Sequence, residues 1–203
     1  WEPFPFQEEV WDLVAQGRSG LICSSTGSGK TWAAWLGILE AHGGESAQGL
    51  KALWITPLRA LAADTLAALR EPSPDLAPGW QVDARTGDTT SSDRARQRKS
   101  LPDALVTTPE SLTLMLSQPG VRERFGTLRA VVVDEWHELM STKRGVQTEL
   151  ALARLRTVCP CLSTWGLSAT LGNLKEAMAT LVPGGGHLVS GLFDKEIVIE
   201  CLL

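Results

Sequence analysis

Eight consecutive residues, Ser24-Ser25-Thr26-Gly27-Ser28-Gly29-Lys30-Thr31, have the types and spacing needed to hold a chain of phosphates. The two glycines let the backbone fold tightly, so that successive N–H groups converge on one anion. A helix opening at this point adds unpaired N–H donors and the positive end of its dipole. Lys30 brings a mobile full charge to the outer phosphates, and the Thr31 hydroxyl can ligand Mg²⁺. The usual pattern is G-x-x-x-x-G-K-[ST]; here its first position is Ser24, a small residue in place of glycine. The plainer reading is a glycine-containing turn with an incidental lysine. The apolar run Leu21-Ile22-Cys23 before the loop and the amphipathic stretch from Trp32 after it favour the phosphate cradle.

Two other strings gain meaning beside it. Asp134 and Glu135 follow the β-branched run Ala130-Val131-Val132-Val133, the place of a metal-anchoring acid in phosphate-transfer proteins. With Thr31, Asp134 could hold Mg²⁺, a hard cation that prefers oxygen and keeps several waters. Glu135 could orient or deprotonate an attacking water. Alone, the pair would read as a solvated strand end. A lone histidine is ordinarily a packing residue, but His137, two positions beyond Glu135, reads as a coupling group. Ser168-Ala169-Thr170 sets two hydroxyls at another strand end and says little as a tripeptide. Arg94, Arg96, Arg98 and Lys99 could touch phosphates; the preferred reading of such a run is a solvated face.

These residues need strands that end together. Trp1–Gln7, with two prolines, predicts an extended arm, followed by a helix over 8–15 with Val10, Trp11 and Val14 on one face. Trp32, Trp35, Leu36 and Leu39 give the loop's helix one buried stripe. Lys51–Thr56 predicts a strand, Pro57 a helix start, and Leu58, Leu61, Thr65, Leu66 and Leu69 the helix. The three prolines and glycine of 71–79 predict a loop. A strand over 80–84, a turn over 85–89, a helix over 93–99 and a strand over 104–107 follow. Thr108, Pro109 and Glu110 read as an N-cap, first-position proline and first-turn acid, with Leu112, Met115 and Leu116 on the inner face. Ala130–Val133 reads as a strand buried on both faces. Val146, Leu150 and Ala153 predict a helix over 145–156, then a strand over 162–167, a helix from Asn173 through Leu181, a loop at 183–186 and a last strand at 197–199. Strands alternating with helices imply an α/β domain whose mainly parallel sheet carries helices on both faces. Ligands in such sheets bind beyond the carboxyl ends of the strands, where every polar string above falls.

With 203 residues the chain can bury a proper core and is read as one domain, 1–203. A net charge of −4 means that any nucleic-acid contact is local or made with a partner domain. No apolar run reaches the length of a membrane span, and the N-terminus lacks a basic-then-apolar signal pattern. Cys23, Cys159, Cys161 and Cys201 do not form a zinc pattern and read as reduced thiols of a cytoplasmic protein. Tryptophan occurs eight times and tyrosine never, a bias without an explanation at this level.

Taken together, the strings resemble a known set. Thr26–Thr31, Thr56-Pro57-Leu58-Arg59-Ala60-Leu61, Arg85-Thr86-Gly87-Asp88, Thr107-Thr108-Pro109-Glu110-Ser111-Leu112, Asp134-Glu135-Trp136-His137 and Ser168-Ala169-Thr170 occur in the order of the first motor domain of superfamily 2 helicases. Phe4-Pro5-Phe6-Gln7 looks like that superfamily's Q motif. The Asp-Glu-x-His box, with Pro57–Leu61 and Arg85–Thr89, is most similar to the large helicase-related (Lhr) branch, and Asp134–Leu139 to its ligase-associated DExH-box members. The resemblance implies a three-layer RecA-like P-loop NTPase domain that binds ATP and Mg²⁺. Gln7 would read adenine; Ser25–Thr31 would hold the phosphates; Thr31 and Asp134 would hold the metal. Lys30, Asp134, Glu135 and His137 would carry hydrolysis. Pro57, Leu58, Arg59, Thr86, Gly87, Thr108 and Pro109 would line the nucleic-acid path, mostly through phosphate contacts. Ser168, Ala169 and Thr170, with His137, would link hydrolysis to strand movement.

The same resemblance implies a 3′–5′ motor acting on single-stranded or partly duplex DNA in repair. A second RecA-like domain, approached through about 190–203, would complete the ATP site. An RNA-directed helicase and a non-enzymatic ATP-gated clamp stay open as alternatives.

Overall fold

Runs of four to six residues, most of them apolar or β-branched, make the strands, and five of the seven among the described residues are buried along their whole length. The structure is a computed structural model that describes residues 2–45, 47–169 and 173–191. In chain order, α1 (Pro5–Ala15) leads into β1 (Gly20–Cys23) and α2 (Lys30–His42), then β2 (Ala52–Ile55), α3 (Arg59–Arg70) and the short α4 (Ser73–Leu76). The middle of the chain gives β3 (Val82–Arg85), α5 (Ser91–Lys99), β4 (Ala104–Thr107), α6 (Pro109–Leu116), α7 (Val121–Phe125) and β5 (Ala130–Val133). The remainder gives α8 (Trp136–Leu139), α9 (Lys143–Val158), β6 (Ser163–Ser168), α10 (Leu174–Leu181) and β7 (His187–Ser190).

The seven strands among the described residues form one sheet in the order β3-β4-β2-β5-β6-β1-β7, and every pairing is parallel. Because successive side chains point to opposite faces, each strand feeds two cores. Leu21, Leu53, Ile55, Leu105, Val131 and Val133 pack with residues of α6, α7, α8, α9 and α10. Ile22, Trp54, Val106, Val132 and Leu167 pack with residues of α1, α2 and α3 on the other face. The result is the expected three-layer α/β arrangement.

The second of these layers accounts for part of the tryptophan bias. Trp35 of α2 meets Trp54 of β2 edge-on at 6.4 Å and Trp80 at 6.2 Å. Its indole N–H reaches the Leu69 carbonyl at 2.8 Å, so the rings fill the layer without leaving that donor orphaned.

Several local expectations need correction. The arm ends at Phe4, not Gln7: Pro5 occupies the first helical position, where its missing N–H costs nothing. α3 begins at Arg59, two residues after Pro57, with Leu58 extended at its N-cap. The proline-rich 71–79 stretch contains α4, whose Ser73 Oγ bonds the Leu69 carbonyl at 2.6 Å. α7, α8 and β7 were not anticipated; all are five residues or shorter.

α9 exists but turns the other way. Val146 and Leu150 are 55% and 67% exposed, while Thr148, Ala151, Leu152 and Leu155 face the core. The helix carries apolar residues on two faces, and only the neighbouring elements choose between them. The expected strand at 197–199 and Cys201 lie outside the described residues.

Candidate functional site

The strand ladder runs one residue past several strands and pins the residues that matter. Ser24 N–H donates to the Ser168 carbonyl at 3.2 Å, Thr56 N–H to Thr107 at 2.9 Å, and Asp134 N–H to Ile55 at 2.8 Å. The carboxyl edge of the sheet therefore presents these residues at fixed spacing, and it divides into two halves.

One half is formed by the ends of β5, β6 and β1. The loop after β1 bends through Gly27 (φ 75°) and Gly29 (φ 88°), conformations open to glycine at little cost. Gly29 is also hemmed in: a Cβ there would lie 2.6 Å from Gln7 Nε2. Ser24, the departure from the glycine pattern, is buried, and its Oγ donates to the Gly191 carbonyl at 2.5 Å. The serine thus ties the loop to the residue that follows β7, a bond that glycine cannot make. Thr26 and Gly27 form the exposed tip, with Ser25 partly and Ser28 fully buried beneath them. Among the described residues Ser28 Oγ is buried without a hydrogen-bond partner. Lys30 folds back, its Nζ donating to the Ser24 and Ser25 carbonyls at 2.6 and 2.9 Å. Burial lowers the Lys30 pKa, and the nearby Glu135 and Asp134 charges work against that.

A buried hydroxyl without a partner and a lysine folded onto the loop carbonyls are donors suited to phosphate oxygens. The site therefore fits a polyphosphate. The donor set also fits Mg²⁺. Among the described residues no cluster of three or more His, Cys, Asp or Glu could hold a metal by itself. Asp134 and Thr31 offer two oxygens, the small protein share that Mg²⁺ takes when phosphates and waters complete its shell.

The Asp134 carboxyl is pushed up to about 6, by burial first and then by the adjacent Glu135 charge. Trp54 Nε1 (3.4 Å) and the Glu135 N–H (2.9 Å) donate to its two oxygens and partly offset this. Glu135 itself holds φ 44° and ψ 47°, a left-handed conformation that costs a non-glycine residue about 1–3 kcal/mol. The bend aims Glu135 back toward His137, whose Nδ1 lies 3.3 Å from Glu135 Oε2. The same Nδ1 accepts from the Ala169 N–H at 3.4 Å. His137 Nδ1 thus lies between the acid pair and the end of β6, and it accepts from Ala169 only while it holds no proton for Glu135. Ser168 and Ala169 are at that end, Ser168 Oγ bonding the Ala169 carbonyl at 2.9 Å; Thr170 lies outside the described residues.

Gln7 is buried below the loop, its Oε1 accepting from Phe4 N–H (2.9 Å) and its Nε2 donating to the Gly29 carbonyl (3.2 Å). It is a strut between α1 and the phosphate loop, with one amide proton and one lone pair uncommitted in those bonds.

The other half is formed by the ends of β3, β4 and β2. A groove of about 570 Å³ there is lined by Pro57, Leu58, Arg59, Gly87 and Thr108. Five of the seven residues expected on the nucleic-acid path thus share one groove. Thr86 and Pro109 do not line it. Both are buried, Thr86 Oγ1 capping the turn by accepting from Asp88 N–H and Pro109 opening α6. Thr108 is the N-cap of α6, as expected, accepting from Ser111 N–H. Arg59 donates to Asp88 at 2.9 Å and crosses Gly87, where a Cβ would lie 3.0 Å from Arg59 Nη1. Arg94 is committed to the carbonyls of Thr86, Gly87 and Thr89, and Arg96 to Asp83 and Asp93. Arg94 therefore fixes the turn, whereas Arg96, tied to acids of β3 and α5, stays exposed with Arg98 and Lys99, as a solvated face would.

The sequence reading missed three groups at this edge. Trp54, on β2, reaches across to Asp134 on β5. Glu110 and Arg144 line the groove and pair with each other. A basic dipeptide at a helix start, Lys143-Arg144, was the available signal for the last.

Comparison with known proteins matches this geometry. A family model described as DEAD/DEAH box helicase matches residues 4–177. The chain is 40% identical over 183 residues to the ATP-dependent helicase Lhr-Core of Methanothermobacter thermautotrophicus, covering 83% of this chain and 21% of that one. It is 33% identical over 209 residues to the Lhr helicase/uracil glycosylase of Escherichia coli, covering 93% and 13%. Among solved structures, Mycobacterium smegmatis helicase Lhr bound to ssDNA and AMP-PNP matches with a TM-score of 0.85 at 35% identity, over 93% of this chain and 26% of that one. The DEAD-box helicase Mss116 bound to ssRNA and UDP-BeF matches at 0.78 and 19% identity, over 94% and 40%, a likeness of fold alone. The chain thus spans about a quarter or less of the Lhr relatives it matches.

Proposed function

This chain belongs to the DEAD/DEAH box helicase family as a first RecA-like domain, and from that premise we propose that it is the ATP-binding motor domain of a 3′–5′ DNA helicase or translocase acting in repair in the cytoplasm. The observation that carries this is the shared strand edge: the phosphate loop and acid pair occupy one half, and the groove of Arg59, Gly87 and Thr108 occupies the other. Among the described residues, no helix is long and apolar enough to cross a membrane.

In this reading Lys30 leaves the Ser24 and Ser25 carbonyls for the outer phosphates, which also satisfy the Ser28 hydroxyl. Thr31 and Asp134 would hold Mg²⁺, which would neutralise phosphate charge. Glu135, held by its left-handed backbone, accepts a proton from the attacking water or orients it. His137 passes the change to Ala169 and so to the end of β6. Gln7 offers its uncommitted amide positions to adenine while bracing the loop. A second RecA-like domain supplies arginines that can be worth about 10³ or more in such transfers, so this domain alone binds ATP and hydrolyses it weakly.

The test is phosphate release by the full-length protein. Single-stranded DNA should stimulate it more than RNA of the same length, and a 3′-tailed duplex should be unwound in preference to a 5′-tailed one. Glu135→Gln should keep Mg·ATP binding and lose turnover. Stimulation by RNA alone, or normal turnover in Glu135→Gln, would overturn the corresponding assignment.

A further inference from the structure

The first turn of α9 goes against helix electrostatics. Its opening residues are Lys143 and Arg144, and it holds no acid, although a helix start carries about half a positive charge and disfavours cations. Thr142 already caps that end, accepting from Gly145 N–H at 3.1 Å, so capping does not explain the basic pair. Breaches of a local rule of this kind gather at functional positions. Arg144 also lines the groove that holds Arg59, Gly87 and Thr108. Arg59 comes from α3, on one face of the sheet, and Arg144 from α9, on the other.

Both arginines are engaged by a carboxylate: Arg59 Nη1 with Asp88 at 2.9 Å, and Arg144 Nε with Glu110 at 2.5 Å. All four side chains are roughly half exposed or more, so the pairs add little to stability and separate at small cost. A carboxylate offers an arginine the same pair of acceptor oxygens as a phosphate does. Burial disfavours the Glu110 charge, but its own backbone N–H and Arg144 prevail and hold its carboxyl below the ordinary value. It is therefore ionised at neutral pH.

Resting on the reading of this groove as the nucleic-acid path, we propose that Arg144 is a phosphate-contacting residue of that path, and that Glu110 holds its guanidinium in place until a backbone phosphate displaces the carboxylate. Strand entry is then an exchange of anions and not a simple addition. Glu110 both positions Arg144 and competes with the ligand, which keeps the groove from binding stray anions.

The experiment is fluorescence anisotropy of a labelled oligo-dT strand with the full-length protein over a salt series. Arg144→Ala is expected to weaken binding about threefold or more. It should also flatten the slope of log affinity against log salt by about 0.7, one phosphate on a single strand. Arg144→Lys keeps the slope while losing part of the affinity, because it keeps the charge without the fork. Glu110→Gln tightens binding about twofold or more, since one competing charge is gone. An unchanged slope in Arg144→Ala overturns the contact, and weaker binding in Glu110→Gln overturns the displacement. Arg59→Ala is the reference. If it flattens the slope and Arg144→Ala does not, this inference fails and the groove stands; if neither does, the groove reading fails with it.

Discussion

The two halves of the strand edge are built on opposite principles. At β5, β6 and β1 the working groups are buried or half-buried, and the fold is strained to hold them. Lys30 is desolvated, Asp134 is pushed up to about 6, and Glu135 sits in a left-handed conformation. At β3, β4 and β2 the arginines of the groove, Arg59 and Arg144, are exposed and already paired with carboxylates, and no described non-glycine residue there has a positive φ. The difference suits the two ligands proposed. A compact nucleotide with a metal rewards a preorganised, partly dry site, where fixed charges act at full strength. A long flexible polyanion is gripped through many weak, exchangeable contacts.

Mutations should separate the halves. The largest effect is expected for Lys30→Ala, which should cut turnover of the full-length protein by about 10²-fold or more and abolish nucleotide uptake in calorimetry, leaving strand binding in place. Loss of strand binding as well would mean that the halves are not independent.

Asp134→Asn should expose the cost of preorganisation. The folded carboxyl keeps its proton up to about pH 6, against an ordinary value of 3.8. The folded state thus binds more protons between these values. Its contribution is complete below 3.8 and is lost as pH rises through about 6, a loss of at most about 3 kcal/mol. Without metal at pH 7.5, Asp134→Asn should melt above wild type by about 1–2 kcal/mol, since one amide oxygen cannot serve both the Trp54 and Glu135 donors. The advantage should vanish near pH 4. A variant less stable at both pH values would show that the carboxylate is not strained.

In the half at β3, β4 and β2, Arg59→Ala should weaken binding to single-stranded DNA about threefold or more and lower the salt slope by about 0.7. Stability should change by less than about 1 kcal/mol, because the pair it breaks is exposed.

The smallest effect is expected for Trp54→Phe, which removes the hydrogen bond across the boundary between the halves. Stimulation of ATP turnover by DNA should fall about twofold, the low end for one net hydrogen bond, with each ligand's own affinity nearly unchanged. No change in stimulation would leave that boundary without a role for Trp54.

Much of the nucleotide half was legible because its signals are contiguous. Ser24–Thr31 and Ala130–Glu135 each carry strand, turn and chemistry in one string. The Thr108-Pro109-Glu110 cap was legible for the same reason. Less could be read where a residue's meaning depends on a distant partner. Nothing near Trp54 in sequence announces Asp134, 80 positions away. Arg94 looks like one more member of a solvated run until the turn carbonyls it holds are seen. Burial of α9 on the side away from Val146 and Leu150 was not decided within the helix.

The sequence by itself determined the order of the first six strands and of the longer helices, the glycine loop and the acid pair, since local geometry and periodicity need only neighbouring residues. Tertiary structure alone decided which strand ends stand side by side. It set Ser24 against Gly191, bent Glu135 toward His137, and brought Arg144 into the groove beside Arg59. The physical reason is that strand order in a parallel sheet is fixed by crossovers and by the packing of two helix layers. Those are properties of the whole chain that no single stretch contains.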